Sequence, residues 1–236
     1  MFAGPNGSGK STLASFVAPQ LLGVSVNADD IEAQVRRDGY FDTASMGIAT
    51  PADALLAELI GAPILTAEHR RQISGLAQAH DGRIFFPFVI DSYVGSAIAE
   101  VMRGHLVKEG ISFTFETVMS HPSKVEFLRE AQRHGFRTYL YFIATGNPQI
   151  NVARVRARVQ RGGHDVPDDR VIARYWRSLG LLHQAVAHAD RSYVFDNSGD
   201  APVFIAEGAN GGAPIPVARA VPEWFTQAMA PPVPNG

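Results

Sequence analysis

The sequence predicts an α/β fold in which a parallel β-sheet is flanked by helices, with a helical insertion after the second strand. Strand-like and helix-like hydrophobic patterns alternate along most of the chain, which is the order that parallel sheets with covering helices require. A glycine-rich loop stands between the first strand-like residues and the first helix-like segment. The run 139–144 is apolar on both faces, as central strands of parallel sheets are.

Composition and charge narrow the class of protein. The chain has 236 residues, 46% of them hydrophobic, and it contains no cysteine, which excludes disulfides and thiolate metal sites. We expect one domain over residues 1–230, with 39–88 as an insertion or cap and 231–236 as a disordered tail. The formal net charge of -2 argues against nucleic acid as a partner. No apolar run approaches the ~20 residues of a membrane span, which favours a cytoplasmic protein without membrane contact.

The elements follow in order from the local patterns. The first strand is predicted to be short, because only Met1, Phe2 and Ala3 precede the glycine-rich loop. Glycine and proline recur at short intervals in residues 39–88, which favours short helical pieces there. Helices are predicted at 11–22, 93–108, 122–135 and 147–161, and a further helix from 167 carries an apolar stripe that ends at Val186. Strands are predicted at 24–26, 112–117, 139–144 and 192–195. Segments 203–207 and 215–219 are predicted to pair as a C-terminal hairpin.

The glycine-rich loop carries the strongest motif. Gly4-Pro-Asn-Gly-Ser-Gly-Lys10-Ser11-Thr12 matches G-x-x-x-x-G-K-[ST] between a strand and a helix, which predicts a P-loop NTPase-type sheet that binds ATP and Mg²⁺. Backbone amides would wrap the phosphates, Lys10 would reach the β and γ oxygens, and Ser11 would hold the metal ion. The predicted nucleotide-binding residues of this segment are Gly4, Asn6, Gly7, Ser8, Gly9, Lys10, Ser11 and Thr12.

Acidic residues follow two of the predicted strands. Asp29 and Asp30 come after the second strand, and Glu116 ends the strand at 112–117; ligands of open α/β sheets bind at this carboxyl edge. Asp29 is the candidate base for an acceptor hydroxyl, although both aspartates also suit a helix start. Glu116 could order a magnesium-bound water or bind substrate hydroxyls, and a solvated strand end is the alternative.

A basic helix face supplies the remaining candidates. Arg154, Arg158 and Arg161 recur at i, i+4 and i+7, so they share one helix face if the helix continues through them. Arginine suits a lid over a triphosphate because its fixed charge stabilises the transferring group; a solvated basic face is the alternative. Gly162-Gly163 would serve as a hinge, and His164 in the same loop is interpreted as an exposed histidine rather than a phosphate ligand.

The chain resembles the zeta-toxin family of P-loop kinases, and in particular its toxin-like ATPase branch. The resemblance runs from Gly4 to about Gly199 and excludes most of residues 39–88. Its ordered blocks are Gly4-Pro-Asn-Gly-Ser-Gly-Lys-Ser-Thr12, Asn27-Ala-Asp-Asp-Ile31, Phe115-Glu-Thr-Val-Met-Ser120, Arg161-Gly-Gly-His-Asp-Val-Pro167 and Asp196-Asn-Ser-Gly199.

This resemblance implies a reaction and a partner. Zeta toxins phosphorylate UDP-N-acetylglucosamine with a P-loop lysine, an aspartate base, a strand-end glutamate and lid arginines. The matching catalytic positions here are Lys10, Asp29, Glu116, Arg158 and Arg161, with Arg154 as a further nucleotide contact. The resemblance therefore implies a UDP-N-acetylsugar as acceptor and an antitoxin protein as partner.

Three functions are weighed on these observations. A small-molecule kinase is favoured, because acids at strand ends and a basic helix face accompany the phosphate loop. A polynucleotide 5′-hydroxyl kinase shares this chemistry but needs a basic track with stacking aromatic side chains. A nucleotide-hydrolysing switch or binding module is disfavoured, because the sequence has no N-K-x-D guanine signature and no apolar strand ending in the aspartate of a magnesium-binding hydrolase.

Overall fold

The computed structural model describes residues 1–163 and 165–230. The chain forms two compact units, one made of Met1–Ala18 and the chain from Glu116 onward, the other of Pro19–Phe115. The strands are β1 (Phe2–Ala3), β2 (Val24–Val26), β3 (Tyr40–Asp42), β4 (Gln78–His80), β5 (Arg83–Phe85), β6 (Phe113–Thr117), β7 (Tyr139–Ala144), β8 (Arg191–Asp196), β9 (Val203–Ala209) and β10 (Ile215–Pro216). The α-helices are α1 (Lys10–Ala14), α2 (Ala28–Asp38), α3 (Ala52–Gly61), α4 (Ala67–Leu76), α5 (Ser92–Lys108), α6 (Ser123–Arg133), α7 (Pro148–Val159), α8 (Asp168–Gly180), α9 (Leu182–Ala187) and α10 (Glu223–Met229).

The main sheet confirms the predicted α/β architecture. Its seven strands lie in the order β10-β9-β8-β7-β1-β6-β2. The pairs from β8 through β7, β1 and β6 to β2 are parallel, whereas β9 and β10 form the predicted antiparallel hairpin at one edge. The β7 strand is central, and its residues from Leu140 to Ala144 are buried except for the half-buried Tyr141. Helices on both sides of such a strand explain its uninterrupted apolar run.

The first unit places its helices by capping and by an apolar stripe. Asn147 begins α7, since its side chain accepts a hydrogen bond from the backbone N–H of Gln149 at 2.8 Å and Pro148 tolerates the first helical position. Val171 and Tyr175 lie on the buried stripe of α8. Val171 also packs with Val152 and Val155 of α7 in one apolar cluster, so these two helices form a layer beside the strands.

The second unit contains the segment interpreted as an insertion. Helices α3 and α4 lie there as short pieces, as predicted. The segment is not helical throughout, because β3, β5 and β4 form a separate antiparallel sheet. Tyr40 pairs with Phe85 in that sheet. Strands of three residues are too short to show a period of two, and their pairing joins positions far apart in the sequence.

Several helix boundaries differ from the sequence predictions. The helix predicted at 11–22 ends at Ala14, and a 3-10 turn at Pro19–Leu21 follows; Pro19 removes a backbone donor and disfavours helical angles in the preceding residue. The helix predicted at 147–161 ends at Val159. The stripe that reaches Val186 is divided between α8 and α9 at Leu181.

Two further predictions concern the C-terminal tail and membrane spans. The tail at 231–236 lies outside the described residues. Within the part of the chain that is described, no helix has the length and apolar character needed to cross a bilayer.

Asp190, which directly precedes β8, is hydrogen-bonded to Thr138, which directly precedes β7. Its Oδ2 accepts hydrogen bonds from Thr138 N at 2.7 Å and Thr138 Oγ1 at 2.9 Å. The backbone hydrogen bond from Thr138 is the main reason that the pKa of the Asp190 carboxyl lies below its usual range. A carboxyl with a lowered folded pKa adds stability above its unfolded pKa of about 3.9, and this contribution is lost as pH falls through the lowered value.

We expect Asp190→Asn to lower the free energy of unfolding at pH 7 by less than about 1 kcal/mol, because solvent screens this half-exposed group. The variant should also lose less stability than the parent between about pH 5 and pH 2. Urea denaturation across that range measures both effects, with the exposed Asp200 changed to Asn as the control. Parallel pH profiles for the parent and Asp190→Asn would contradict the linkage.

Candidate phosphate-binding site

The loop between β1 and α1 has a backbone that requires glycine at both ends. Gly4 has a φ of +145°, and a Cβ added there would lie 2.0 Å from the carbonyl oxygen of Ile143 in β7. Gly9 has a φ of +101°, and a Cβ added there would lie 2.4 Å from Nδ2 of Asn197. Side chains rarely adopt these angles. The loop therefore lies closer to the strands than any residue with a side chain would allow.

Lys10 folds back over this loop. Its Nζ donates hydrogen bonds to the carbonyl oxygens of Gly4 at 2.9 Å and Pro5 at 3.0 Å. The ammonium group is therefore held against the backbone of the loop. An anion bound to the loop amides would offer a stronger, charge-assisted partner.

Ser11 and Glu116 meet in the first unit. The Oγ of Ser11 donates a hydrogen bond to Oε2 of Glu116 at 3.0 Å. Glu116 is near the carboxyl end of β6, where Phe2 of β1 is its parallel partner, so the register of these two strands brings the carboxylate beside the start of α1. The two residues that the sequence associates with a metal ion and its water are thus in direct contact.

Two buried asparagines support the loop, and the sequence analysis did not select either. Nδ2 of Asn151 donates to the carbonyl oxygen of Asn6 at 2.6 Å, and Nδ2 of Asn197 donates to that of Ser8 at 2.8 Å. Asn197 belongs to the block 196–199 that was quoted for the family resemblance, so a signal for it was present. Asn151 is a polar residue on the buried face of α7, beside Val152 and Val155, and that mismatch was its signal.

The arginine face is divided between two environments. Arg154 is half-buried and donates to the carbonyl oxygens of Asn197 at 2.8 Å and Gly199 at 3.0 Å. Arg158 and Arg161 are exposed, and Nε of Arg161 donates to Ala157 O at 3.1 Å. Because α7 ends at Val159, Arg161 follows the helix, so the i+7 argument does not apply to it. His164 lies outside the described residues.

Asp29 and Asp30 lie in the first turn of α2, in the second unit, and both are exposed. The helix cap is Asn27, whose Oδ1 accepts a hydrogen bond from Asp29 N at 2.9 Å. Both aspartates therefore lie at a helix start, as the alternative to a catalytic role predicted, although Asn27 rather than an aspartate is the N-cap. Their charges still suit the positive end of the helix, and the role of Asp29 as a base stays a prediction.

A metal ion could be held by a cluster of side chains alone or by few side chains together with a ligand. Across residues 1–163 and 165–230, no group of three or more His, Cys, Asp or Glu residues is placed to hold a metal ion. Magnesium is commonly held by few protein ligands together with substrate phosphates. The Ser11–Glu116 contact is compatible with a magnesium site whose remaining ligands are substrate phosphates.

These features define the class of fold. A strand leads through a glycine loop with Lys10 and Ser11 into a helix, inside a mainly parallel sheet, which is the P-loop NTPase arrangement. No protein-family model matches the chain. An uncharacterized protein of Haemophilus influenzae is 27% identical over 174 residues, which cover 74% of this chain and 89% of that protein.

Solved structures agree with the fold. Two crystal structures of AvrRxo1-ORF1 with AvrRxo1-ORF2, one with ATP and one with sulphate ions, align with 100% of this chain at 16% identity and a TM-score of 0.55. The chain spans 64% and 65% of their lengths. A structure from the PezAT toxin-antitoxin system of Streptococcus pneumoniae aligns with 83% of this chain and 66% of its own at 13% identity, but the TM-score of 0.46 is too low to carry an argument. The likeness to the AvrRxo1 structures confirms the fold that the sequence resemblance implied.

We expect Gly4→Ala to destabilise the ligand-free protein by more than about 2 kcal/mol, because the backbone angle of residue 4 and its contact with Ile143 O must both change. Gly135→Ala is the matched control. Gly135 has a φ of +80° with nothing within 4 Å of an added Cβ, so this control isolates the backbone cost, about 1 kcal/mol. Chemical denaturation compares the two variants. Equal losses would show that the close approach at Gly4 has no energetic consequence.

Proposed function

We propose that the protein is an ATP-dependent phosphotransferase that moves the γ-phosphoryl group onto a hydroxyl of a small molecule. The observation that carries the proposal is the glycine loop with Lys10 folded over it and Ser11 hydrogen-bonded to Glu116. Fixed amides, a cation and a carboxylate beside a hydroxyl are the groups that phosphoryl transfer uses.

The loop fits a triphosphate. Its glycines leave a cradle that a Cβ at Gly4 or Gly9 would disturb, and consecutive amides in such a loop bind anions. Residues 4–12 would hold the phosphates, with Asn6, Gly7, Ser8 and Thr12 contributing through this segment. Lys10 would exchange its two carbonyl acceptors for phosphate oxygens. The AvrRxo1 structures, which share the fold, are described with ATP and with sulphate.

The same end of the loop fits Mg²⁺. The Ser11 hydroxyl would hold the ion, and Glu116, 3.0 Å from that hydroxyl, would accept a hydrogen bond from a water on it. Magnesium, when bound, neutralises charge on the phosphate oxygens. The protein's own contribution is to keep Ser11 beside Glu116 and Lys10 beside the loop.

The remaining roles are assigned from sequence position and from the family resemblance. Asp29 would take the acceptor proton as the acceptor oxygen attacks the γ-phosphorus, while the bond to the β–γ bridging oxygen breaks and ADP leaves. Arg158 and Arg161 would stabilise the charge on the transferring group. Arg154 already binds two carbonyl oxygens, so we assign it an indirect role.

The acceptor and the partner follow from the resemblance. UDP-N-acetylglucosamine is the first acceptor to test, followed by other nucleotide sugars and nucleosides. An antitoxin protein is the proposed partner, and the AvrRxo1-ORF1 structures do contain a second protein, AvrRxo1-ORF2. Mass spectrometry of cell metabolites incubated with the protein and ATP would identify the acceptor directly.

Lys10→Ala should weaken ATP binding about tenfold or more and abolish turnover, since the charge beside the γ-phosphate is lost. Calorimetric titration with ATP measures the first effect, and phosphate transfer or release measures the second. Lys124→Ala, which removes a lysine from α6, is the control. Unchanged turnover in Lys10→Ala would refute the assignment of the loop.

Asp29→Asn separates a kinase from a nucleotide hydrolase. The variant should bind ATP like the parent and lose acceptor phosphorylation by roughly a hundredfold or more, because the base is removed. Asp30→Asn is the matched control, since it removes the same charge from the same exposed helix turn. If both variants phosphorylate an identified acceptor at the parent rate, Asp29 is a structural residue.

A further inference from the structure

The phosphate loop is held from outside by two asparagine side chains on separate elements. Asn151 lies on α7 and is fully buried, and Asn197 follows β8 and is 8% exposed. Their Nδ2 atoms donate to the carbonyl oxygens of Asn6 and Ser8. A carbonyl oxygen only accepts, so these two contacts also determine which way each amide is oriented.

Each asparagine is itself held in place. The Thr145 hydroxyl donates to Oδ1 of Asn151, and the Tyr175 hydroxyl donates to Thr145 O at 2.6 Å. Arg154 donates to the backbone carbonyl of Asn197 at 2.8 Å. These contacts limit the orientation of the Asn151 side chain and the backbone position of Asn197.

These contacts decide where the loop amides point. In a planar trans peptide, the C=O of one residue and the N–H of the next point in opposite directions. Because the carbonyl of Asn6 points outward to accept from Asn151, the N–H of Gly7 points inward. The carbonyl of Ser8 likewise accepts from Asn197, so the N–H of Gly9 points inward. The asparagines thus determine the direction of two amides that a phosphate would use.

The contacts also explain two of the motif's glycines. A Cβ at Gly7 would lie 2.7 Å from the backbone oxygen of Asn151, and one at Gly9 would lie 2.4 Å from Nδ2 of Asn197. Both distances are below what real Cβ atoms show. Gly9 therefore leaves room for the Asn197 amide, whereas Gly7 leaves room for the backbone of α7.

We propose that Asn151 and Asn197 are positioning residues that preorganise the loop for phosphate, with Arg154 acting through Asn197. The inference rests on the proposed nucleotide site but adds the source of its rigidity. Preorganised donors bind a charge without the cost of reorienting at the moment of binding. Neither asparagine needs to touch the ligand for this effect.

Asn197→Asp tests the proposal, since it keeps the shape and replaces the donor with an acceptor facing the Ser8 carbonyl. Amide hydrogen exchange of residues 4–12 in the ligand-free protein should become about tenfold faster, and the Kd for ATP should rise about tenfold. Thr138→Val is the matched control, because it removes a buried hydroxyl that bonds to Asp190. The control should leave the exchange of 4–12 and the Kd unchanged.

The outcomes separate the two ideas. Unchanged exchange and Kd in Asn197→Asp, or equal changes in Thr138→Val, would overturn the positioning role. If the parent itself does not bind ATP, the proposed function fails, while the exchange measurement still decides the positioning role. Should Asn197→Asp not fold, Arg154→Met replaces it as the test, because Arg154 is half-buried and removing its guanidinium frees the backbone carbonyl of Asn197. Faster amide exchange of residues 4–12 is again expected. An unchanged exchange rate would refute the inference.

Discussion

The close approach of the glycine-rich loop to the carboxyl ends of β7 and β8 is the constraint on which the site depends. The backbone at Gly4 lies against the carbonyl of Ile143, and Gly9 lies against the side chain of Asn197. At these separations a side chain at either position would force the backbone away. The observed arrangement brings Lys10 over the loop and places Ser11 beside Glu116.

The buried network behind the loop is made of groups that keep one protonation state near neutral pH. Burial raises the pKa of the Tyr175 hydroxyl to about 12, so it remains a hydrogen-bond donor to Thr145. The asparagine and threonine side chains do not titrate. A buried network of this kind is costly if a member is unsatisfied, and here each contact selects a single orientation.

Helix α7 links the support of the loop to the basic residues near its end. Asn151 and Arg154, one turn apart, contact the loop directly and through Asn197, while Arg158 is on the exposed last turn. The arginine spacing in the sequence could not distinguish these roles, because it describes a helix face and not the carbonyls that the face meets.

Local chemistry explains which predictions succeeded. The parallel strands, the glycine loop and most helices were predictable, because apolar runs, glycine positions and caps such as Asn147 act over a few residues. The antiparallel sheet of the second unit was not predictable, since β3, β4 and β5 have three residues each and are defined only by their pairing. The early end of α1 had a local signal in Pro19, which outweighed the helix-like pattern.

The sequence by itself determined the class of fold and the residues of the loop, because the motif at Gly4–Thr12 encodes its own backbone angles and its own charged group. Only the tertiary structure decided which groups surround that loop. The contact of Ser11 with Glu116 depends on the register of β1 and β6, and the support by Asn151 and Asn197 depends on how α7 and the end of β8 meet the loop. Those contacts join residues more than 100 positions apart, and no local pattern records such a distance; packing alone brings them together.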